Sequence, residues 1–226
     1  MIVAAAVCPH PPMLVPEVAA GAASELDDVR QACDEVVGAL VALRPDRIVV
    51  LGSGAAGDDR DESAGGGFEA YGVELHAGGE GEGLPLSLTI GAWLLDRAGW
   101  EGPRTYSTGV PDIGGSVAVL VMADGSVKRT VAAPGYLDER AEPFDSAIAS
   151  ALGTGDISVL AALDVALGDE LGAAGTRPLR TLGELVSAQI RSQTHEGADI
   201  RANLRVDVAP LGVGYWVADW QLAPIA

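Results

Sequence analysis

A histidine follows the first apolar segment of the chain, in the stretch Cys8-Pro9-His10-Pro11-Pro12. Residues 2–7 are apolar and predict a buried strand, which the prolines should end because proline donates no hydrogen bond to a neighbouring strand. In open α/β sheets, ligands bind at the carboxyl ends of strands. An imidazole there can ligate a metal or transfer a proton, so His10 is the candidate catalytic residue. A purely structural histidine is the alternative.

A cysteine lies close enough to His10 to extend such a site. Cys8 precedes His10 by two residues, and in an extended chain both side chains would point the same way. With an acidic loop residue such as Asp58, they would form a small metal site. The alternative is that Cys8 belongs to the buried core, since the prolines disturb the extended geometry. Cys8 and Cys33, the two cysteines of the sequence, are too few for a disulfide framework or a cysteine zinc site.

A serine follows the second predicted strand, residues 48–51. Apolar residues at helical spacing over 26–43 predict a helix before it, so the order strand, helix, strand indicates a βαβ unit with parallel strands. The segment Gly52-Ser53-Gly54-Ala55-Ala56-Gly57 has the glycine spacing of a dinucleotide-binding loop, but an acidic stretch replaces the helix that such a loop opens. Ser53 also lacks the glycine spacing of a nucleophile elbow.

Most of the remaining chain alternates predicted helices and strands. A strong strand over 116–122 leads into Asp124-Gly125, a turn signal from which residues 127–132 would return as the second strand of a hairpin. Residues 68–75 form a further predicted strand, flanked by glycine-rich acidic segments that should be flexible loops. Apolar patterns predict the other helices near 90–97, 144–152, 159–171 (broken near Asp164) and 182–190, and the last strands at 204–208 and 213–220.

The charge balance is strongly acidic, with 32 Asp and Glu residues against 14 Lys and Arg residues and a formal net charge of −18. Such a surface repels phosphate groups, so nucleic acids and anionic membranes are not expected as partners. No apolar run reaches the roughly 18 residues that a membrane-spanning helix needs, and the early prolines do not fit a signal peptide. We therefore expect a cytoplasmic protein with reduced cysteines.

Two tryptophans on the last predicted strand bear on assembly. Trp216 and Trp220 are four residues apart, so they face the same side of the strand. They either cover the core or form an edge-strand contact in a homo-oligomer, and the core is the simpler interpretation.

Several motifs together resemble the class III extradiol ring-cleavage dioxygenase-like proteins, whose superfamily also contains the Memo-like proteins. The likeness is carried by the opening Cys8–Glu17, the strand Arg47–Gly52, the segments Ala133–Asp138 and Phe144-Asp145, and the ending Ala209–Tyr215. It covers most of the chain. The resemblance implies a single domain over residues 1–226 with an α/β fold, in which a mostly parallel or mixed central sheet is flanked by helices on both faces.

Active members of this family hold Fe(II) with two histidines and a carboxylate, and a further histidine acts as acid and base. The resemblance thus implies Fe(II) or another divalent metal as cofactor. The first metal histidine matches His10. The second belongs just after the second strand, where this chain has Ser53 and Gly54. The acid–base histidine follows an Asp-Leu-Ser segment, whose nearest match is Asp124-Gly125-Ser126-Val127, again without a histidine.

The sequence has two other histidines, His76 and His195, and one of them would have to enter the site to complete it. His76 borders a glycine-rich loop, and His195 lies in a polar stretch. We therefore expect an incomplete iron site, in which His10 binds a metal only if other ligands have replaced the missing ones.

These observations favour a non-catalytic or altered-function family member that binds a small molecule or a protein partner in the cleft near His10. Cys8, Ser53, Asp58 and Asp124 are the expected pocket residues. One alternative is a metal-dependent extradiol dioxygenase, or a related oxidoreductase, acting on a small aromatic substrate. Another is a metal-independent hydrolase or transferase using Ser53, His10 or Cys8, although no base–nucleophile spacing in the sequence points to it.

Overall fold

The computed structural model describes residues 1–55, 57–192 and 198–224. Its strands are β1 (Ile2–Cys8), β2 (Arg47–Leu51), β3 (Arg60–Asp61), β4 (Gly65–Gly67), β5 (His76–Gly78), β6 (Arg104–Ser107), β7 (Val117–Met122), β8 (Ala198–Val208) and β9 (Tyr215–Pro224). Its α-helices are α1 (Pro16–Ala19), α2 (Asp27–Ala42), α3 (Leu86–Arg97), α4 (Ala141–Thr154), α5 (Ile157–Ala161), α6 (Val165–Leu171) and α7 (Thr176–Ser192). Within the described ranges, none of these helices is long and apolar enough to cross a membrane.

Among the described residues, seven strands form one mixed sheet in the order β3-β6-β2-β7-β1-β9-β8. The central strands β6, β2, β7 and β1 run parallel to one another. Beyond β1, the strands β9 and β8 continue the sheet in antiparallel fashion, and β3 adds an antiparallel edge beside β6. Because β2, β7 and β1 are parallel neighbours, their carboxyl ends meet at one edge of the sheet.

Both faces of the parallel strands are buried, which is why their sequences are almost continuously apolar. Residues such as Ala6 and Val50 pack against α2 and α3 on one face. Their strand neighbours Val7 and Val49 point the other way and pack against α4 and α7. The sheet therefore lies between two helical layers, and the predicted α/β fold with helices on both faces is confirmed.

Helices and strands are present where the apolar pattern is strong. The predicted break near Asp164 separates α5 from α6, because the Asp164 carboxylate accepts a hydrogen bond from the Leu167 N–H and caps α6. Trp216 and Trp220 are both buried among apolar side chains on the same face of the sheet. The prediction that these tryptophans cover the core is confirmed.

The hairpin predicted at Asp124-Gly125 is wrong. β7 has a strand neighbour on each side, β2 and β1, so a returning strand would find no free edge on which to pair. Residues 127–132 form turns and irregular structure instead. Asp124 makes a single bridge with Tyr215, the first residue of β9.

A glycine-rich segment predicted as a flexible loop contains β4, which pairs with β5. A Cβ on Gly65 would overlap the carbonyl oxygen of Gly79, and a Cβ on Gly66 would overlap the Thr89 side chain of α3. Glycine permits these close approaches while giving the strand no side-chain pattern to predict it. The strand predicted at 68–75 is also wrong, because these residues include a 3₁₀ turn over Glu69–Tyr71.

Candidate functional site

His10 follows β1 by two residues and lies buried at the carboxyl end of that strand. The prolines on either side of it restrict the backbone, and a 3₁₀ turn over Pro12–Leu14 begins almost at once. The main-chain N–H of His10 donates to Oδ1 of Asp124 at 2.7 Å. Only 6% of the residue is exposed. The hydrogen bond from its main chain to Asp124 therefore fixes the position of a buried side chain.

The two nitrogens of the His10 ring face different polar side chains. Nδ1 lies 3.6 Å from Oδ1 of Asp124, and Nε2 lies 3.5 Å from Oγ of Ser53. Within the described residues, the buried Nδ1 has no hydrogen-bond partner. Leaving such a group unpaired costs about 1–3 kcal/mol. An unpaired buried polar atom in a native structure points to a functional role or to a bound molecule that completes it.

Ser53 follows β2 by two residues, in a loop that neighbouring segments hold in place. The hydroxyl of Ser87, in the first turn of α3, donates to the Ser53 carbonyl oxygen at 2.6 Å. Oγ1 of Thr108 donates to the Ala55 carbonyl oxygen at 3.0 Å. The backbone of this loop is therefore fixed at both Ser53 and Ala55. The Ser53 residue itself remains partly exposed.

Asp124 follows β7 by two residues, which is the same offset that His10 and Ser53 have from their own strands. We refer to these three residues, His10, Ser53 and Asp124, as the carboxyl-end cluster. The Asp124 carbonyl oxygen accepts a hydrogen bond from the Gly175 N–H at 2.8 Å. Burial raises the pKa of the Asp124 carboxyl group, and the nearby His10 opposes this effect. Asp124 thus presents a largely desolvated carboxyl group to the ring.

A second carboxylate, Asp145 of α4, supports the loop that carries Asp124. Asp145 is fully buried. It accepts hydrogen bonds from the Ser126 N–H at 2.9 Å and from Nη1 of Arg129 at 3.0 Å. Burial raises the pKa of Asp145, and these two partners oppose the rise. A Cβ on Gly125 would lie 3.0 Å from the Asp145 carboxylate, so glycine lets the loop lie directly on this group.

Cys8 belongs to the core and does not line the surface beside the His10 ring. Its side chain is fully buried in the apolar cluster that contains Cys33 of α2. Burial, followed by the hydrogen bond with Cys8, raises the pKa of the Cys33 thiol well above its usual range. Cys8 points towards the α2 layer, whereas the proline-rich turn redirects the chain before His10. The structure therefore does not bring Cys8 into a metal site with His10.

Asp58 and His76 are not members of the carboxyl-end cluster. Asp58 is exposed in the loop after β2. His76 is exposed in β5, where its Nε2 lies 2.7 Å from the Gly79 carbonyl oxygen. His195 falls in the segment 193–197, which lies outside the described residues.

The side chains around His10 do not fit an iron centre of the family type. Ser53 and Asp124 face opposite nitrogens of the ring, so an ion bound at either nitrogen would meet only one of them. A facial triad requires three ligands that point at one ion. Across residues 1–55, 57–192 and 198–224, no group of three or more His, Cys, Asp or Glu side chains is placed to hold a metal.

From the sequence, every member of the carboxyl-end cluster is named and placed in one cleft, but only through the family resemblance. The available signal is that each residue lies two positions beyond an apolar strand. Using that signal requires the order of the strands in the sheet, which the pattern of apolar residues does not contain. Asp145 is recognised in the sequence only as part of a family motif, although a carboxylate on the buried face of a helix is itself a signal.

Comparison with known proteins leaves the geometry as the main guide to function. No protein family model matches the chain. No curated protein matches it significantly in sequence. The resemblance to the extradiol dioxygenase-like proteins therefore rests on the short motifs of the sequence.

Proposed function

We propose that this chain is an altered-function member of the extradiol dioxygenase-like superfamily that binds a small organic molecule at the carboxyl-end cluster without holding iron there. One observation carries the proposal: His10, Ser53 and Asp124 converge from three adjacent parallel strands. The crevice outside the carboxyl ends of such strands is the usual ligand-binding place in open α/β sheets.

The cluster suits a ligand that carries a hydroxyl or carbonyl group. Asp124 lies beside Nδ1 of His10 and favours a proton on that nitrogen, which leaves Nε2 as a hydrogen-bond acceptor. The Ser53 hydroxyl beside Nε2 can both donate and accept. The ligand would therefore meet one rigid acceptor and one adaptable hydroxyl at the same point.

The dioxygenase alternative needs ligands that the described residues do not supply at this point. Asp124 is on the wrong side of the ring to share an ion with Nε2. His76 is engaged near Gly79 in the small sheet formed by β4 and β5. Ring cleavage by Fe(II) and O₂ depends on a complete ligand set, so metal retention separates the two functions.

Histidine signals in NMR spectra test the proposal directly, because the sequence contains three histidines. The protein would be labelled with ¹⁵N-histidine, and His10→Gln and His76→Gln would assign the imidazole signals. A fixed panel of small phenols, carboxylic acids and esters would then be titrated in. In parallel, protein supplied anaerobically with Fe(II), Mn(II) or Zn(II) would be desalted and its metal content measured.

We expect at least one panel compound to shift the His10 signals while leaving those of His76 unchanged, and no metal to survive desalting in a stoichiometric amount. If no panel compound moves the His10 signals, the binding proposal is wrong. If one Fe(II) per chain is retained and His10→Gln abolishes its retention, the dioxygenase alternative replaces it.

A further inference from the structure

The carboxyl-end cluster has the composition of a nucleophile, a base and an acid that orients the base. We propose that Ser53 is a nucleophile activated by His10, that Asp124 orients His10, and that the chain hydrolyses small carboxylic esters by this route. The inference rests on the function proposed above, because the ester would occupy the same cleft. It adds a covalent reaction to binding.

The three side chains are arranged in the order that the reaction needs. Ser53 Oγ lies 3.5 Å from Nε2 of His10, and Asp124 Oδ1 lies 3.6 Å from Nδ1 of the same ring. Both distances are longer than a catalytic hydrogen bond in a substrate complex, which is about 2.6–3.2 Å. Such contacts are often long without substrate and shorten when it binds. A nucleophile–base–acid array is recognised by this geometry and these roles, whatever the order of its residues in the sequence.

Asp124 fixes His10 in two ways. Its Oδ1 accepts the His10 main-chain N–H at 2.7 Å, which sets the position of the residue. The same carboxyl group lies next to Nδ1, the buried ring nitrogen that has no hydrogen-bond partner in the described part of the chain. A proton on Nδ1 would satisfy both groups and would leave the lone pair of Nε2 directed at Ser53.

The reaction balances with water as the only co-reactant. Ser53 Oγ attacks the ester carbonyl carbon while its proton passes to Nε2 of His10. The carbon–alkoxide bond then breaks, and the alcohol leaves with the proton from His10. Water next attacks the acyl-serine and gives one proton to His10, and this proton returns to Ser53 Oγ as the carboxylic acid departs.

The amino-terminal end of α3 lies beside the loop of Ser53. The loop of Ser53 packs on the first turn of α3, where the Ser87 hydroxyl holds the Ser53 carbonyl and Gly54 lies against Pro85. α3 is 12 residues long, and the amino-terminal end of a helix stabilises nearby negative charge. In our proposal, this end of α3 is the element that would stabilise the oxyanion intermediate.

A serine-directed alkyl fluorophosphonate tests the nucleophile on the whole protein. Ser53 Oγ would form a bond to phosphorus as the phosphorus–fluorine bond breaks, with fluoride leaving and the serine proton passing to His10. Cleavage after Arg47 and Arg60 gives a peptide whose one hydroxyl-bearing side chain is Ser53. Mass spectrometry of this peptide therefore identifies the modified residue without ambiguity. Hydrolysis of 4-nitrophenyl acetate would be followed in parallel.

Two alanine variants make a matched pair. Ser53→Ala should abolish both the adduct on the peptide 48–60 and the ester hydrolysis above background. Ser107→Ala should retain both, because Ser107 lies at the end of the adjacent strand β6 with its hydroxyl engaged by the Gly109 N–H. Circular dichroism and thermal unfolding would confirm that each variant is folded.

The possible outcomes separate this inference from the function on which it rests. An adduct on the peptide 48–60 that Ser53→Ala removes supports the nucleophile. If that peptide stays unmodified while panel compounds shift the His10 signals, binding stands and the nucleophile is wrong. If neither is seen, both proposals fall. Equal ester hydrolysis by wild type and Ser53→Ala would also overturn the inference.

Discussion

The amino end and the carboxyl end of β1 both meet polar side chains from distant parts of the chain. At the amino end, the Gln189 side chain of α7 accepts the Ile2 N–H at 2.6 Å and donates to the Ile2 carbonyl at 2.9 Å. A cavity of about 450 Å³ lies beside it, lined partly by Ile113 and Leu185. At the carboxyl end, the His10 ring lies 3.5 Å from Ser53 and 3.6 Å from Asp124.

This cavity is therefore not lined by the members of the carboxyl-end cluster. Gln189 uses both ends of its amide to complete the hydrogen bonds of a strand terminus, which is a structural task. In the described residues, Nδ1 of His10 has no hydrogen bond, and Nε2 lies beside the hydroxyl of Ser53, a partly exposed residue. Unpaired bonding capacity, rather than cavity volume, is what distinguishes the carboxyl end of β1 from its amino end.

The largest expected effect comes from removing the base at the carboxyl end. His10→Gln should lower the rate at which the fluorophosphonate modifies Ser53 by about 100-fold or more. The free energy of unfolding should change by no more than about 1 kcal/mol, since glutamine keeps the main-chain N–H that Asp124 accepts. The measurements are the modification rate and urea denaturation.

His76→Gln is the control for this change, because His76 is exposed in β5. It should leave the modification rate at the wild-type value. Equal modification rates in wild type, His10→Gln and His76→Gln would show that His10 does not activate Ser53. The polar contacts at both ends of β1 would then have only a structural role.

A smaller effect, on stability alone, is expected at the amino end. Gln189→Leu leaves the Ile2 N–H and carbonyl without their side-chain partners, which should lower the free energy of unfolding by about 2 kcal/mol. Modification of Ser53 by the fluorophosphonate should not change. Gln31→Leu, at an exposed glutamine of α2 that contacts Glu35, is the matched control. Its effect should stay within about 0.5 kcal/mol; similar losses in both variants would refute the role assigned to Gln189.

The smallest effect concerns the charge of Asp124. Burial raises the pKa of this carboxyl group, so the folded protein keeps its proton at pH values where the unfolded chain has lost it. Its contribution to stability is complete below the unfolded-state pKa and declines as the pH rises through the folded-state pKa. Asp124→Asn cannot ionise, so its free energy of unfolding relative to wild type should rise with pH.

Urea denaturation between about pH 3 and about pH 8 measures this difference, because the change begins near the unfolded-state pKa. Asp58→Asn removes the same charge from an exposed loop and should show a flatter profile relative to wild type. Parallel profiles for the two variants would mean that burial of Asp124 does not control its protonation.

The sequence predicts the central layers well because their physical signals are local. β1, β2 and β7 are unbroken apolar runs, and the principal helices show regular apolar spacing. Of the described strands, β3, β4, β5 and β6 escape prediction, and β4 and β6 illustrate two different reasons. β4 consists of three glycines, and its strand conformation depends on close contacts with other segments. β6 (Arg104–Ser107) shows no clear alternation of apolar and polar residues. It pairs with β2, which is distant in the sequence.

The carboxyl-end cluster shows where prediction from one sequence stops. Asp124-Gly125 has the local signature of a hairpin, and that signature fails because β7 lies between two parallel neighbours. The contact between Asp124 and His10 joins residues 114 positions apart. Whether such residues meet is decided by strand order and register, which arise from the packing of the whole sheet.

The position of β1 between β7 and β9 also has a consequence for the order of folding. β1 pairs with β9 through contacts such as Ala4 with Gln221 and Val7 with Ala218. Pairing between segments this far apart carries a large loop-closure entropy and slows folding. During synthesis β1 is made long before β9, so one edge of β1 lacks its strand partner until β9 has been made. The pairing of β1, the strand that leads to His10, is therefore complete only after β9 has been made.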